Sequence, residues 1–111
     1  MKEERPWGWF EVIAKGSGYI VKELFVKEGE RTSLQYHNHR KEVWVVVEGR
    51  GRAVVGEEER ELNPGDVVVV ERGVKHRLEG LEGGVRIVEI WIGERLEEGD
   101  IVRLEDDYGR V

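Results

Sequence analysis

Three histidines are all that this chain of 111 residues holds, and two of them sit within three residues of each other. His37 and His39 lie in the stretch GERTSLQYHNHRKEVWVVVEG from Gly29 to Gly49, together with the chain's only glutamine, Gln35, and with Glu42 at the head of an apolar run. The third, His76, lies in GDVVVVERGVKHRLEG, from Gly65 to Gly80. Imidazole, carboxylate and amide oxygen gathered this way in a His-poor chain suggest a divalent metal site. The bland alternative is a pair of loop histidines and one satisfied core histidine.

The remaining sequence must supply the frame. A short β-branched or aromatic run closed by glycine recurs at Trp9–Ala14, Tyr19–Lys27, Val43–Glu48, Ala53–Gly56, Val67–Val70, Val74–Leu78 and Val85–Ile92. Turn signals fall at Lys15–Gly18, Glu28–Glu30, Asn63–Asp66 and Glu82–Gly84. About ten residues per strand, with no sustained helical period, predicts an all-β sandwich or barrel in one domain spanning residues 1–111. Only Glu94–Tyr108 is left for a short helix or an irregular tail.

Alternation then assigns faces. His76 shares a face with Val74 and Leu78 and points inward, while Lys75, Arg77 and Glu79 point to solvent. Trp44 and Val46 face one way and Val43, Val45 and Val47 the other, so both faces of that strand ask for cover and a homodimer is expected. Glu89 shares a face with Val85, Ile87 and Trp91, where a carboxylate needs a partner or a task.

Composition narrows the partners. Charged residues are 38%, hydrophobic ones 39% and the net charge is -6, with signs mixed and no basic stripe, which argues against a nucleic-acid partner. Without cysteine there is no disulfide, thiolate zinc site or Cys nucleophile. MKEERPWG has no apolar signal core and no run approaches membrane-spanning length, so a cytoplasmic location without membrane association is expected. Much Glu, Lys and Arg with little Asn and Gln resembles a heat-adapted, thermophile composition.

The glycine-framed spacing of both stretches resembles the two motifs of the cupin superfamily, G-x5-H-x-H-x3,4-E-x6-G and G-x5-P-x-G-x2-H-x3-N. Gln35 stands where the first His is usual, Glu71 where Pro is, and Gly80 where Asn is. The resemblance implies a double-stranded β-helix, the cupin jelly roll, with metal ligands Gln35, His37, Glu42 and His76 inside and His39 at the mouth. One divalent ion, Zn²⁺, Mn²⁺, Fe²⁺, Co²⁺ or Ni²⁺, suits that ligand set. Gln35 and His37 point the same way, Glu42 comes from the next strand, and His76 is expected from the facing sheet.

RPWG at Arg5–Gly8, SLQYHNHRKEVW at Ser33–Trp44 and GDIVRLEDDYGR at Gly99–Arg110 further resemble the type II phosphomannose isomerase cupin, which often forms the C-terminal half of a bifunctional enzyme with mannose-1-phosphate guanylyltransferase. Val43 and Trp91 depart from that family, which usually has His and Gln there. The resemblance implies interconversion of mannose 6-phosphate and fructose 6-phosphate, a phosphosugar substrate, and no guanylyltransferase activity in this segment. Arg40, sharing the parity of Glu42, Arg110 in the tail and Lys22 in mid-strand are the candidates for binding the anion. Glu89 is either the general base or an ion-pair partner of Arg110 or Arg103. Two other classes stand beside the isomerase: a non-catalytic sugar-binding partner of a separate guanylyltransferase, and an iron-dependent oxygenase.

Overall fold

A computed structural model describes residues 1–111. It has nine strands and no helix: β1 (Glu3–Arg5), β2 (Gly8–Gly16), β3 (Tyr19–Val26), β4 (Leu34–Tyr36), β5 (Lys41–Val55), β6 (Glu58–Leu62), β7 (Val67–Val70), β8 (His76–Ile92) and β9 (Val102–Glu105). No helix is therefore long and apolar enough to cross a membrane.

Two long strands organise the rest. Residues 41–49 of β5 pair with 85–92 of β8, and residues 51–55 of β5 pair with 76–80 of β8. The register shifts between Val46 and Glu48 and again between Gly49 and Gly51, and such bulges sharpen the bend of a strand. Each long strand thus belongs to two layers. One layer continues outward through β3, β2 and β1 on one side and β7 on the other; the second runs through β4 and β9 on one side and β6 on the other. The result is a sheet curled on itself into a jelly roll, with Val26, Val46, Leu62, Val85 and Ile87 almost wholly buried between the layers.

The bend explains why seven short runs became fewer, longer strands. Glycines that read as strand ends sit instead inside β5 and β8. Gly49 has φ +81°, and a Cβ there would stand 2.1 Å from the Gly84 carbonyl oxygen, so only glycine lets the two bent strands cross this closely. β1, β4 and β6 were not among the expected runs. β6 reads EEREL, four charged positions facing solvent with one buried leucine, and gives no apolar run to detect. The tail forms no helix; β9 adds to β4.

Of the predicted faces, His76, Trp44, Val46 and Glu89 point inward as expected. Arg77 corrects the rule that the alternate positions of its strand reach solvent. It is only 6% exposed, because the tail folds over it: Nε donates to the Thr32 carbonyl and Nη1 to Glu105. The outer face of β5 is covered by nothing within the chain. Val43 and Val45 pair with Val69 and Val67 across the ladder, and Val47, Val67 and Val69 are 39–48% exposed. We expect this face to carry self-association. Sedimentation should give a dimer mass at micromolar concentration and a monomer for Val69→Lys; a monomeric parent would refute the expectation.

Candidate metal centre

Each side chain of the centre owes its direction to a backbone feature. Gln35 lies on β4 directly opposite His76, the first residue of β8, so these two share one layer. Glu42, second in β5, comes from the next strand as expected, but it is this strand end that lies in the facing layer, and His76 is the one that shares the layer of Gln35. His37 follows β4, where the ladder has ended and the chain turns toward β5.

The two imidazoles are held in a defined tautomer. His37 Nδ1 lies 2.6 Å from the Asp100 carbonyl and His76 Nδ1 lies 3.0 Å from the Val74 carbonyl. A carbonyl only accepts, so each Nδ1 must carry the hydrogen, and in a neutral ring Nε2 is left with its lone pair. The two Nε2 atoms are 3.2 Å apart. Glu42 sets Oε2 3.1 Å from His37 Nε2 and Oε1 3.7 Å from His76 Nε2. Two ligands bonded at about 2.0–2.2 Å to one ion are separated by about 2.8–3.6 Å when their angle lies near 90–110°. The observed separations lie at or near that range, with Oε2 facing His37 and Oε1 facing His76, and the two ring lone pairs and the carboxylate form a donor set that suits a cation. The residues therefore fit a divalent metal, and His37, Glu42 and His76 form a buried group able to hold one.

Gln35 stands beside the triad, its Nε2 3.5 Å from His37 Nε2 and its Oε1 2.5 Å from Ser33 Oγ, so a half-turn of the amide would bring the oxygen toward the ligands. His39 is exposed and outside the group. Arg40 is buried beside Glu42 as its parity implied, with Nε 2.8 Å from Glu42 Oε2 and Nη2 3.1 Å from His37 Nε2. A metal ion and this guanidinium compete for the same acceptors. Burial alone would raise the Glu42 carboxyl, but the adjoining His37, His76 and Arg40 side chains outweigh it and hold Glu42 far below the usual carboxylate range. Desolvation lowers His76, which favours the neutral ring that a metal needs.

A cavity of about 240 Å³ opens from this centre. Its walls carry five cations, Arg5, Lys22, Arg40, Arg103 and Arg110, and three carboxylates, Glu42, Glu89 and Glu98. Lys22 is not a free anion binder. It is 3% exposed, lies 3.7 Å from the Trp91 ring centroid and 4.4 Å from that of Phe10, and is capped at 2.5 Å by Glu98. Arg110 reaches the cavity while Asp106 holds it through Nε at 2.8 Å and Nη2 at 3.0 Å. Arg103 brings a buried Nε with no partner within the chain.

Glu89 pairs with neither Arg110 nor Arg103, contrary to the ion-pair alternative. Its carboxyl accepts from the Trp91 indole on the same strand face. Burial is the main cause, and the nearby charge of Glu42 the second, that push Glu89 from an ordinary 4.5 to about 8, against the opposing pull of Trp91, Arg40 and Lys22. Three contributors escaped the sequence reading. Arg5 belongs to a motif that was noticed only as a signature, and Arg103 was weighed only as a partner for Glu89. Asp100 takes part through its backbone as much as its side chain, which no residue-type pattern reveals.

The Glu89 shift has a consequence for stability. Between about pH 4.5 and pH 8 the folded protein keeps a proton that the unfolded chain has released. Stability contributed by the protonated carboxyl is full below the lower value and is lost as pH rises to the upper one. Glu89→Gln does not titrate, so its stability relative to the parent should climb across that window by at most about 1.4 kcal/mol per pH unit. Denaturant unfolding of chelator-treated proteins at several pH values checks this, and a flat difference would contradict the shift.

Comparison with known proteins agrees with this geometry. The model of the family described as mannose-6-phosphate isomerase C-terminal matches residues 1–106. The mannose-1-phosphate guanylyltransferase ManC of Salmonella typhimurium is 42% identical over 109 residues, covering 96% of this chain and 22% of that protein. The xanthan biosynthesis protein XanB of Xanthomonas campestris is 41% identical, covering 99% of this chain and 24% of that one. The chain thus spans less than a quarter of the length of these curated relatives. Among solved structures, KdgF from Halomonas superposes with a TM-score of 0.80 at 19% identity, covering 86% of this chain and 87% of that one. Bacillus subtilis oxalate decarboxylase gives a TM-score of 0.84 at 16% identity, covering 94% of this chain and 30% of that one. These last two likenesses bear on the fold alone, which is that of the cupins. The chain belongs to the family of mannose-6-phosphate isomerase C-terminal cupin domains.

Proposed function

We propose that this chain is a metal-dependent sugar-phosphate isomerase that interconverts mannose 6-phosphate and fructose 6-phosphate. The observation that carries the reading is one cavity whose walls join Glu42 and His76 of a triad fit for a divalent ion to a protonatable buried carboxyl and to arginines suited to a phosphate. The family match supports the same substrate class.

Aldose–ketose isomerisation removes a proton from the carbon next to a carbonyl and returns it to the neighbouring carbon. His37, Glu42 and His76, with Gln35 beside them, would hold the ion. When bound, the ion polarises the substrate's oxygens and offsets the negative charge that develops on them. Glu89 is the group we assign to proton movement. A carboxyl raised to about 8 is matched to work near neutrality, and the Trp91 indole fixes its orientation. Arg103, whose Nε has no partner within the chain, and Arg5 are assigned to the phosphate with the Arg110 Nη1 that Asp106 leaves free, since guanidinium groups match phosphate oxygens. Arg40 supplies a second positive charge beside Glu42. Bacillus subtilis oxalate decarboxylase, which shares the fold, has Mn(II) centres, and this makes Mn²⁺ a sensible first ion for reconstitution. We place the reaction in the cytoplasm, where phosphosugars are found, and propose no guanylyl transfer by these residues.

A coupled assay of mannose 6-phosphate with metal-reconstituted protein tests the reading. Turnover is expected, with near-stoichiometric metal that is lost in His37→Ala. Arg110→Ala should mainly raise KM, whereas Glu89→Gln should lower kcat roughly 10²–10⁴-fold at unchanged metal content. Phosphosugar binding without turnover under any of the five candidate ions would replace the isomerase by a sugar-binding module. Neither binding nor turnover would reopen the oxygenase reading.

A further inference from the structure

His37 sits where regular pairing has stopped. The chain between β4 and β5 leaves the amides of Asn38 and His39 outside any ladder, and an unpaired amide beside a buried residue is costly. One residue, 61 or more positions away, satisfies both. Asp100 accepts from Asn38 N and His39 N, each at 2.9 Å, through its two carboxylate oxygens. Its own carbonyl accepts from His37 Nδ1 at 2.6 Å. Burial opposes the charge on Asp100, but the two amides hold its carboxyl below the ordinary range.

The segment carrying Asp100 is also a wall of the cavity. The Glu97 carbonyl accepts from Arg40 Nη1 at 3.3 Å, Glu98 caps Lys22, and Glu98 and Ile101 line the cavity. The turn that closes the site is therefore the turn that aims a metal ligand. Partners of a ligating histidine's second nitrogen fix its tautomer and direction, and losing them costs roughly 10–100-fold in metal affinity.

We propose that Asp100 is the positioning residue of the metal centre, and that docking of the 97–105 tail and binding of the metal form one coupled equilibrium. Coupling of this kind is reciprocal. The docked tail raises metal affinity by fixing His37, and the metal, by holding His37, keeps the tail docked. The inference rests on the metal-binding reading of the triad.

The test uses the full chain and Mn²⁺ or Zn²⁺ alone, with affinity measured by competition against a chromophoric chelator. Amide exchange of residues 97–105 is followed with and without metal. Asp100→Ala is expected to weaken metal binding roughly 10–100-fold and to abolish the slowing of tail exchange that metal produces in the parent. Asp100→Asn, which keeps the size and one acceptor, should fall between, and it serves alone if the alanine variant does not fold. Asp107→Asn is the control. It releases Arg31 at a 2.7 Å contact beyond the 97–105 segment, leaves the Asp100 contacts in place, and should leave both metal affinity and the exchange of residues 97–105 unchanged. Affinity of the Asp100 variants within two-fold of the parent, or an equal loss in Asp107→Asn, overturns the proposal while the metal site stands. A parent chain that takes up neither ion overturns both.

Discussion

Everything in this structure turns on the burial of one carboxylate. Glu42 is 2% exposed, and a charge removed from water that completely persists only if positive or hydrogen-donating groups surround it. Arg40 and the Trp44 indole at 3.0 Å do so. An ion bound by the triad would join them. Both layers of the jelly roll are needed to bring these groups together, because His76 and Gln35 come from one layer and Glu42 from the other. The bent β5 and β8 strands are what make two layers out of one continuous ladder.

The same two strands carry a second carboxyl in a mirrored setting. Glu42–Val43–Trp44 on β5 and Glu89–Ile90–Trp91 on β8 run antiparallel, so that Glu42 faces Trp91 and Glu89 faces Trp44 across the ladder. In each, the indole two residues on donates back to its own glutamate. Yet the carboxyls titrate in opposite directions. Glu42 has Arg40 and two imidazoles in contact and stays ionised. Glu89 has burial and the charge of Glu42 against it and keeps its proton up to about 8. Like charges on one buried face cannot both be cheap, and the unequal supply of cations decides which one gives way. Two carboxyls of opposite protonation thus arise from one repeated local pattern.

How much of this was legible beforehand follows from the range of each interaction. Parity along a strand is local, so the inward direction of His76, Arg40 and Glu89 could be read from neighbours two residues apart. The triad was located by the resemblance of the two glycine-framed stretches to the cupin motifs, joined to the clustering of His and Glu in a His-poor chain. Arg77 was misread because its cover comes from a tail segment almost thirty residues further on. Lys22 could be placed in mid-strand, but not its burial nor its cap, Glu98, which lies 76 positions away. The breaks at Gly49 and at Gly83–Gly84 were read as strand ends because glycine permits both a turn and a bend, and only the pairing of the crossing strand tells them apart.

The tail is the clearest case of a segment whose meaning is entirely long-range. Its acidic residues look like a solvated end, and several are exposed. Asp100 is buried all the same, Asp106 holds Arg110, Asp107 holds Arg31, and the Tyr108 hydroxyl donates to Glu30 at 2.5 Å. The Asp107 and Tyr108 bonds tie the last dozen residues to Arg31 and Glu30, just before β4, while the Asp106–Arg110 pair braces the tail itself. The tail has little apolar surface to bury, so specific polar pairing must keep it in place, and such pairing weakens more readily than a packed core. The same tail carries the Asp100 carbonyl that accepts from His37 Nδ1, so the wall of the cavity and the direction of that imidazole depend on one set of polar contacts.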